Sequence, residues 1–109
     1  MIKKQNRLSA NWAVSKTIQR GSVYKSLNLT CRILENQKSE PVKVTVVVSK
    51  KVSNKANIRN KIKRRVREAV SSKIESKIGY SLVVFPKMSV LDISFEELLK
   101  EVDTCLEGR

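Results

Sequence analysis

The spacing of the apolar residues changes between residues 42 and 85, and this change limits the folds that are open to the chain. Apolar residues alternate with mostly polar ones over 42–48, which is typical of a half-buried β-strand. Over 58–74 they fall three or four positions apart, as along one face of a helix. The short apolar run over 80–85 indicates a buried strand. A helix between two strands favours a parallel βαβ crossover, because parallel neighbours need a long connection.

The flanking segments predict two further helices and the rest of the sheet. The predicted elements are helices over 10–19 and 94–106, a strand over 27–33 and a shorter strand over 22–24. We expect Ser9 to be the N-cap of the first helix and Gly21 to terminate it. Ser94 and Glu97 fit a capping box at the start of the last helix.

These elements predict one domain that spans residues 1–109. The order is helix, two or three strands, helix, strand, helix, which we interpret as an α/β two-layer sandwich. Its sheet would be mixed and four-stranded, with one parallel βαβ crossover. A hydrophobic fraction of 40% in 109 residues is enough for a single core, and no repeat or Pro/Gly-rich linker marks a boundary.

The chain contains no histidine, which excludes imidazole metal ligands and histidine-based triads. Cys31 and Cys105 are far apart in sequence and have no CxxC spacing, so we expect reduced, small apolar residues and neither a zinc site nor a disulfide framework. Glu96, Glu97 and Glu101 could be proposed as Mg²⁺ ligands, but we expect them to form a solvated face of the last helix.

The apolar residues also bear on location. No apolar run approaches the ~20 residues of a membrane span, and the start of the chain has charges without a hydrophobic stretch of the signal-peptide kind. We therefore expect a cytoplasmic protein.

Positive charge is concentrated in one part of the chain. The formal net charge is +13, and residues 50–67 carry nine bases and no acid, whereas residues 68–109 carry five bases and eight acids. This concentration favours a nucleic acid, because binding to phosphates releases counterions. An anionic membrane is less favoured, since the apolar stripe of the basic helix is Ile58, Ile62 and Val66, which suits packing on a sheet.

Basic residues surround this apolar stripe on a helical wheel. An i, i+4, i+8 ridge beside the stripe consists of Arg59, Lys63 and Arg67, and the outer face carries Lys61, Arg64 and Arg65. Like charges at i, i+4 destabilise an isolated helix by about 0.2–0.5 kcal/mol per pair. A polyanionic partner would offset that cost, whereas a merely solubilising face would not.

The segment 49–69, SKKVSNKANIRNKIKRRVREA, resembles the signature of the bacterial ribonuclease P protein subunit family. In that signature SKK is followed by G-x-A and then by R-N-R-x-K-R-x-x-R-E. The resemblance extends over nearly the whole chain, through RL at Arg7 and Leu8, Gly21, VVVSKK after the valine strand, GYSLVVFP over 79–86 and FEELL over 95–99.

Three features depart from the family pattern. Lys61 replaces the second arginine of R-N-R, so the charge is kept without the planar guanidinium. Ser53 and Asn54 replace one glycine, so the loop before the helix can follow a different path. Val14 and Ile18 stand where the first helix of the family carries aromatic residues, which reduces base stacking.

The resemblance implies a protein subunit of ribonuclease P, the ribonucleoprotein endonuclease that removes the 5′ leader from precursor tRNA. In that family the RNA subunit is the catalyst, so we expect no catalytic residue and no protein-bound metal, with Mg²⁺ at the active site of the RNA. The implied partners are ribonuclease P RNA and precursor tRNA, bound by a protein monomer.

Two RNA surfaces are implied. The surface for the catalytic RNA would consist of Lys50, Lys51, Lys55, Arg59, Asn60, Lys61, Lys63, Arg64, Arg65 and Arg67. A cleft for the single-stranded leader, between the first helix and the exposed sheet face, would consist of Val14, Ile18, Asn28, Thr30, Arg32, Lys43 and Thr45, the sheet residues being assigned by alternation. Core packing of Val14 and Ile18 is an equal alternative, and Trp12 can either stack on a base or be partly buried.

Two other classes of protein remain open. A ribosomal protein or an RNA chaperone would share the charge without the ordered signature, and it would bind catalytic and unrelated RNAs alike. A DNA-binding module would need a recognition helix with side chains that read bases, for which Asn60 is the one candidate among the basic residues.

Overall fold

The computed structural model describes residues 2–36, 39–75 and 77–107. Its helices are α1 (Asn11–Arg20), α2 (Ala56–Ile74) and α3 (Phe95–Glu107), and its strands are β1 (Ser22–Lys25), β2 (Leu29–Glu35), β3 (Lys43–Val46) and β4 (Tyr80–Pro86). Short 3-10 helices lie at Lys4–Asn6 and Met88–Leu91. The element order confirms the predicted one, including the short strand before β2.

The four strands form one mixed sheet in the order β1-β2-β4-β3. β2 is antiparallel to both β1 and β4, and β3 is parallel to β4. α2 connects β3 to β4, so the parallel crossover predicted from the change of apolar spacing is confirmed. The valine strand is shorter than predicted, because its ladder with β4 ends soon after Val46, with a last bond from the Val47 N–H to the Val84 carbonyl.

One face of the sheet forms the core with α2 and α3. Leu82 of β4 lies opposite Ile33 of β2 and Val44 of β3, and all three side chains are buried. α2 packs on this face with its predicted stripe, of which Ile62 and Val66 are fully buried. The periodicity therefore identified the core face of this helix correctly.

α1 packs on the opposite face of the sheet, against β2 and β4. Its N-cap is Ala10, which makes no side-chain capping bond, so the expectation of a Ser9 cap was wrong. Gly21 does end the helix, but its φ is −70°, outside the left-handed region. A Cβ on Gly21 would lie 2.4 Å from the Thr17 carbonyl oxygen, so glycine is required for space.

The fold brings the two cysteines together. Cys31 of β2 and Cys105 of α3 are both buried, and both are free thiols. The hydrogen bond between their side chains, together with burial, raises the pKa of the Cys31 thiol. The Cys105 thiol also contacts the Tyr24 carbonyl oxygen at 3.7 Å, so α3 is joined to the first two strands.

The start of α3 is capped from its own sequence. The Glu97 N–H donates to Ser94 Oγ at 3.1 Å, which is the bond expected from the capping box. Across the ranges given above, no helix has the length and apolar character needed to cross a membrane.

Candidate RNA interface

The loop over 47–55 leads from β3 into the basic helix and is tied to its first turn. Arg59 Nη1 donates to the Ser53 carbonyl oxygen at 2.9 Å, and the Lys55 N–H donates to Ser53 Oγ at 3.3 Å. Lys55 is the N-cap of α2 and makes no side-chain cap, and the first turn contains no acid. The three lysines of this loop, Lys50, Lys51 and Lys55, are exposed beside the positive end of the helix dipole.

α2 presents a cationic surface to solvent. Over residues 59–67 of this helix, the exposed polar residues are Asn60, Lys61, Arg64 and Arg67, and Lys63 is half-buried beside them. The ion pairs between described residues are Lys3–Glu75 and Lys73–Asp103, so neither involves this surface. The charge of this part of α2 is therefore available to a partner.

Arg65 does not belong to this surface. Its Nε donates to the Val90 carbonyl oxygen at 3.1 Å and its Nη2 to that of Ile93 at 2.6 Å. Its guanidinium also lies 5.9 Å from the centroid of the Phe95 ring. The placement of Arg65 on the outer face was wrong, because its side chain fastens the segment before α3 to α2.

A groove of about 940 Å³, here called groove A, lies between α1, β3 and α2. It contains Val14 and Thr45 from the predicted leader cleft and Arg64 and Arg67 from the predicted surface for the catalytic RNA. The remaining lining residues are Ile2, Arg7, Leu8, Ser9, Asn11, Val44, Val47 and Glu68. Residues of the predicted leader cleft and of the predicted surface for the catalytic RNA therefore meet in one concave site.

Four of the five sheet residues predicted by alternation share a face. Arg32 and Thr45 both lie opposite Val83, so their side chains form one row across the sheet. Thr30 lies opposite Phe85 and Lys43 opposite Ser81, in the rows on either side. Val14 and Ile18 of α1 are both half-buried, but Val14 alone of the two lines groove A.

Asn28 is absent from this face, which corrects the sequence interpretation. It precedes β2 and is buried, and its Nδ2 donates to Glu101 Oε2 at 2.6 Å. Its backbone N–H donates to Glu101 Oε1 at 2.7 Å, and its Oδ1 accepts a bond from Ser89 Oγ at 2.6 Å. Alternation failed here because Asn28 belongs to the turn between β1 and β2, where the pleat does not set the side-chain direction.

Glu101 was expected on a solvated face but instead holds that turn. Besides the two bonds from Asn28, it accepts a short hydrogen bond from Ser26 Oγ. Burial raises the pKa of its carboxyl group, but these hydrogen bonds and the charge of Lys87 outweigh burial and lower the pKa below its ordinary value. Glu101 is therefore a structural anion. Among the described residues, no three Cys, Asp or Glu side chains are grouped as metal ligands would be.

A second groove of about 580 Å³, here called groove B, lies on the other side of α1, beside the end of β2 and the starts of β3 and β4. Lys43 lines this groove, so the predicted cleft residues are divided between two sites. Trp12 also lines it and is 72% exposed, which rules out the partly buried alternative.

The fold and its charge distribution define a small, basic α/β-sandwich protein with an open groove beside a cationic helix. The sequence model of the ribonuclease P family matches residues 2–108, and the chain belongs to that family. It is thus a subunit of a ribonucleoprotein that processes tRNA, and its partner RNA is ribonuclease P RNA. No match was found among curated proteins.

Solved structures of this family have the same fold. The RNase P protein of Staphylococcus aureus is 20% identical, with a TM-score of 0.77 over 95% of this chain and 94% of that one. A mutant of that protein with defective mRNA degradation activity is also 20% identical, with a TM-score of 0.79 over 95% and 87% of the two chains. The Thermotoga maritima protein is 20% identical, with a TM-score of 0.75 over 98% of each chain.

Proposed function

We propose that this protein binds the ribonuclease P RNA through the loop over 47–55 and the outer face of α2, and binds the 5′ leader of precursor tRNA in groove A. The RNA subunit cleaves the leader, with Mg²⁺ held at the active site of the RNA. A protein monomer takes part in this complex in the cytoplasm.

The position of Arg64 and Arg67 is the observation that carries this proposal. Both are exposed on the cationic face of α2 and both line groove A, opposite Val14 and Thr45. A strand in the groove would have guanidinium groups for its phosphates on one side and an apolar side chain for its bases on the other. A leader bound there would lie directly beside the RNA bound to α2.

The contribution of the protein to catalysis is then electrostatic and positional. Catalytic RNA and precursor tRNA repel each other, and a protein of charge +13 between them lowers the Mg²⁺ concentration needed for assembly. Arg65 and Glu101 act only on the fold in this scheme, because their hydrogen bonds are within the protein.

Reconstitution with a ribonuclease P RNA and a precursor tRNA tests the proposal. We expect no cleavage by the protein alone, and we expect the complex to cleave at lower Mg²⁺ than the RNA alone and to bind precursor tRNA more tightly than mature tRNA. Cleavage by the RNA-free protein that a point substitution abolishes would contradict the proposal. Equal binding of ribonuclease P RNA and unrelated RNAs would instead indicate a general RNA-binding protein.

A further inference from the structure

Trp12 occupies an unusual position for the only tryptophan of the chain. It lies in the first turn of α1 and is 72% exposed, so packing in the hydrophobic core does not explain why a tryptophan stands at this position. Lys16 and Arg20 follow it at i+4 and i+8, which places the three side chains in one row along the helix. All three line groove B. An exposed indole in line with two cations is therefore part of one concave surface.

Groove B is positively charged. Four basic residues line it, Arg7, Lys16, Arg20 and Lys43, against the two acids Glu35 and Glu40. None of the four takes part in either of the ion pairs formed between described residues. The charge and the indole together suit a single-stranded nucleic acid, which offers phosphates and an unstacked base at the same time. A duplex would offer the phosphates but would keep its bases stacked inside.

The two grooves adjoin each other. Arg7, Leu8 and Ser9 line both of them, at the N-terminal end of α1. Leu8 is buried, and its N–H donates to the Val44 carbonyl oxygen at 3.0 Å, so this connection is built on the edge of the sheet. A nucleic-acid strand that leaves groove A would reach groove B along these residues, at the N-terminal end of α1, and would not have to cross the exposed face of the helix.

We propose that groove B is a second site for single-stranded RNA, in which Trp12 stacks on a base while Lys16 and Arg20 contact the adjacent phosphates. A 5′ leader long enough to pass round the start of α1 from groove A occupies it. This inference rests on the proposed function, because groove A must first hold the part of the leader next to the tRNA. It adds a contribution from the distal part of a long leader, which depends on Trp12 and which a short leader cannot make.

Precursor tRNAs with leaders of ~4 and ~12 nucleotides test this inference in the reconstituted complex of protein and ribonuclease P RNA. We expect the wild-type complex to bind the long leader more tightly than the short one. Trp12→Ala should weaken binding of the long leader by about 5- to 140-fold and so remove that gain, and Trp12→Phe should retain most of it. Because Trp12 is exposed, neither change should alter the circular dichroism of the protein.

A matched pair of lysine variants separates the groove from general charge. Lys16 of α1 and Lys100 of α3 are both exposed helical residues. Lys16→Ala should reduce the preference for the long leader, whereas Lys100→Ala should leave it at the wild-type value. Fluorescence of Trp12 supplies a direct readout, because no other tryptophan contributes. We expect quenching by the long leader and little change with the short one.

The outcomes distinguish this inference from the proposed function. If precursor tRNA is preferred over mature tRNA but Trp12→Ala leaves the long-leader gain intact, the second site is overturned and groove A stands. If Trp12→Ala weakens binding of mature tRNA equally, Trp12 contacts another part of the RNAs and the second site is again overturned. If the complex binds precursor tRNA and mature tRNA equally, the proposed function itself fails. Quenching of Trp12 by polyglutamate and not by oligonucleotide would identify an acidic protein partner and overturn the RNA site.

Discussion

Arg59 donates a hydrogen bond to the carbonyl oxygen of Ser53, at a distance of 2.9 Å, and so closes the loop over 47–55 onto the first turn of α2. Ser53 also accepts a bond from the Lys55 N–H through its hydroxyl group. The side chain that begins the basic ridge thus has a structural bond as well as a charge. The loop holds three lysines of the proposed RNA surface, and we expect this bond to hold the loop that carries them in place.

Arg59→Lys should therefore weaken binding to ribonuclease P RNA although it keeps the net charge. A lysine lacks the planar fork and cannot contact both the Ser53 carbonyl oxygen and a phosphate in the same geometry. We expect a loss of several-fold in affinity, together with faster proteolytic cleavage in the loop over 47–55. If Arg59→Lys binds as the wild type does and Arg59→Ala alone is weaker, Arg59 acts through charge alone.

Arg64→Ala should affect RNA binding and Arg65→Ala should affect stability, although the two residues are adjacent and each substitution removes one positive charge. Arg64 is exposed in groove A. Its loss should therefore make the negative slope of log affinity against log salt less steep, by about 0.7–0.9, and should leave the stability unchanged. Arg65 satisfies two carbonyl oxygens, so its loss should reduce the free energy of unfolding by about 1–3 kcal/mol and leave the salt slope unchanged. A salt slope that falls equally in both variants would contradict the structure.

Val14→Phe should tighten binding of precursor tRNA, whereas Ile18→Phe should not. Val14 lines groove A, where an aromatic ring can stack on a base of the leader. Ile18 is half-buried against the sheet and does not line the groove, so a larger side chain there should reduce stability by about 1–3 kcal/mol. Affinity for mature tRNA serves as the control, because it should be the same in both variants.

Glu101→Gln should destabilise the protein most at neutral pH. The folded protein lowers the pKa of Glu101, so its carboxylate stabilises the fold above the unfolded pKa of about 4.3, and this contribution is lost as the pH falls through the folded value. Glutamine would turn an NH₂ group towards the donors of Asn28 and Ser26, at a cost of about 1–2 kcal/mol. The difference in unfolding free energy between variant and wild type should shrink below about pH 4. A difference that does not vary with pH would show that the carboxylate charge has no role.

The order of the elements was predictable because burial leaves a periodic trace in the sequence. The alternation around β3 and the helical spacing of α2 each reflect one buried face, and together they imply the parallel crossover. The signature over 49–69 indicated the family, since it depends on the order of residue types and not on where their side chains point. The common face of Arg32, Lys43 and Thr45 followed in the same way from the pleat of the strands.

The direction of individual side chains outside these patterns depended on the tertiary structure. Arg64 and Arg65 are equally polar neighbours, and only the segment before α3 decides that Arg65 turns inward to the Val90 and Ile93 carbonyl oxygens. Asn28 donates hydrogen bonds to Glu101, 73 positions away in the chain, and the residues near Asn28 in the sequence do not indicate this partner.

The two grooves were likewise decided by the tertiary structure. Groove A exists because α1 and α2 pack on opposite faces of the sheet yet both reach the edge at β3, which places Val14 beside Arg64 and Arg67. The sequence alone determined which faces of β3 and α2 are buried, since burial repeats with the period of the backbone. The relative placement of the elements determined the concave surfaces, because their packing is set by contacts between residues far apart in the chain.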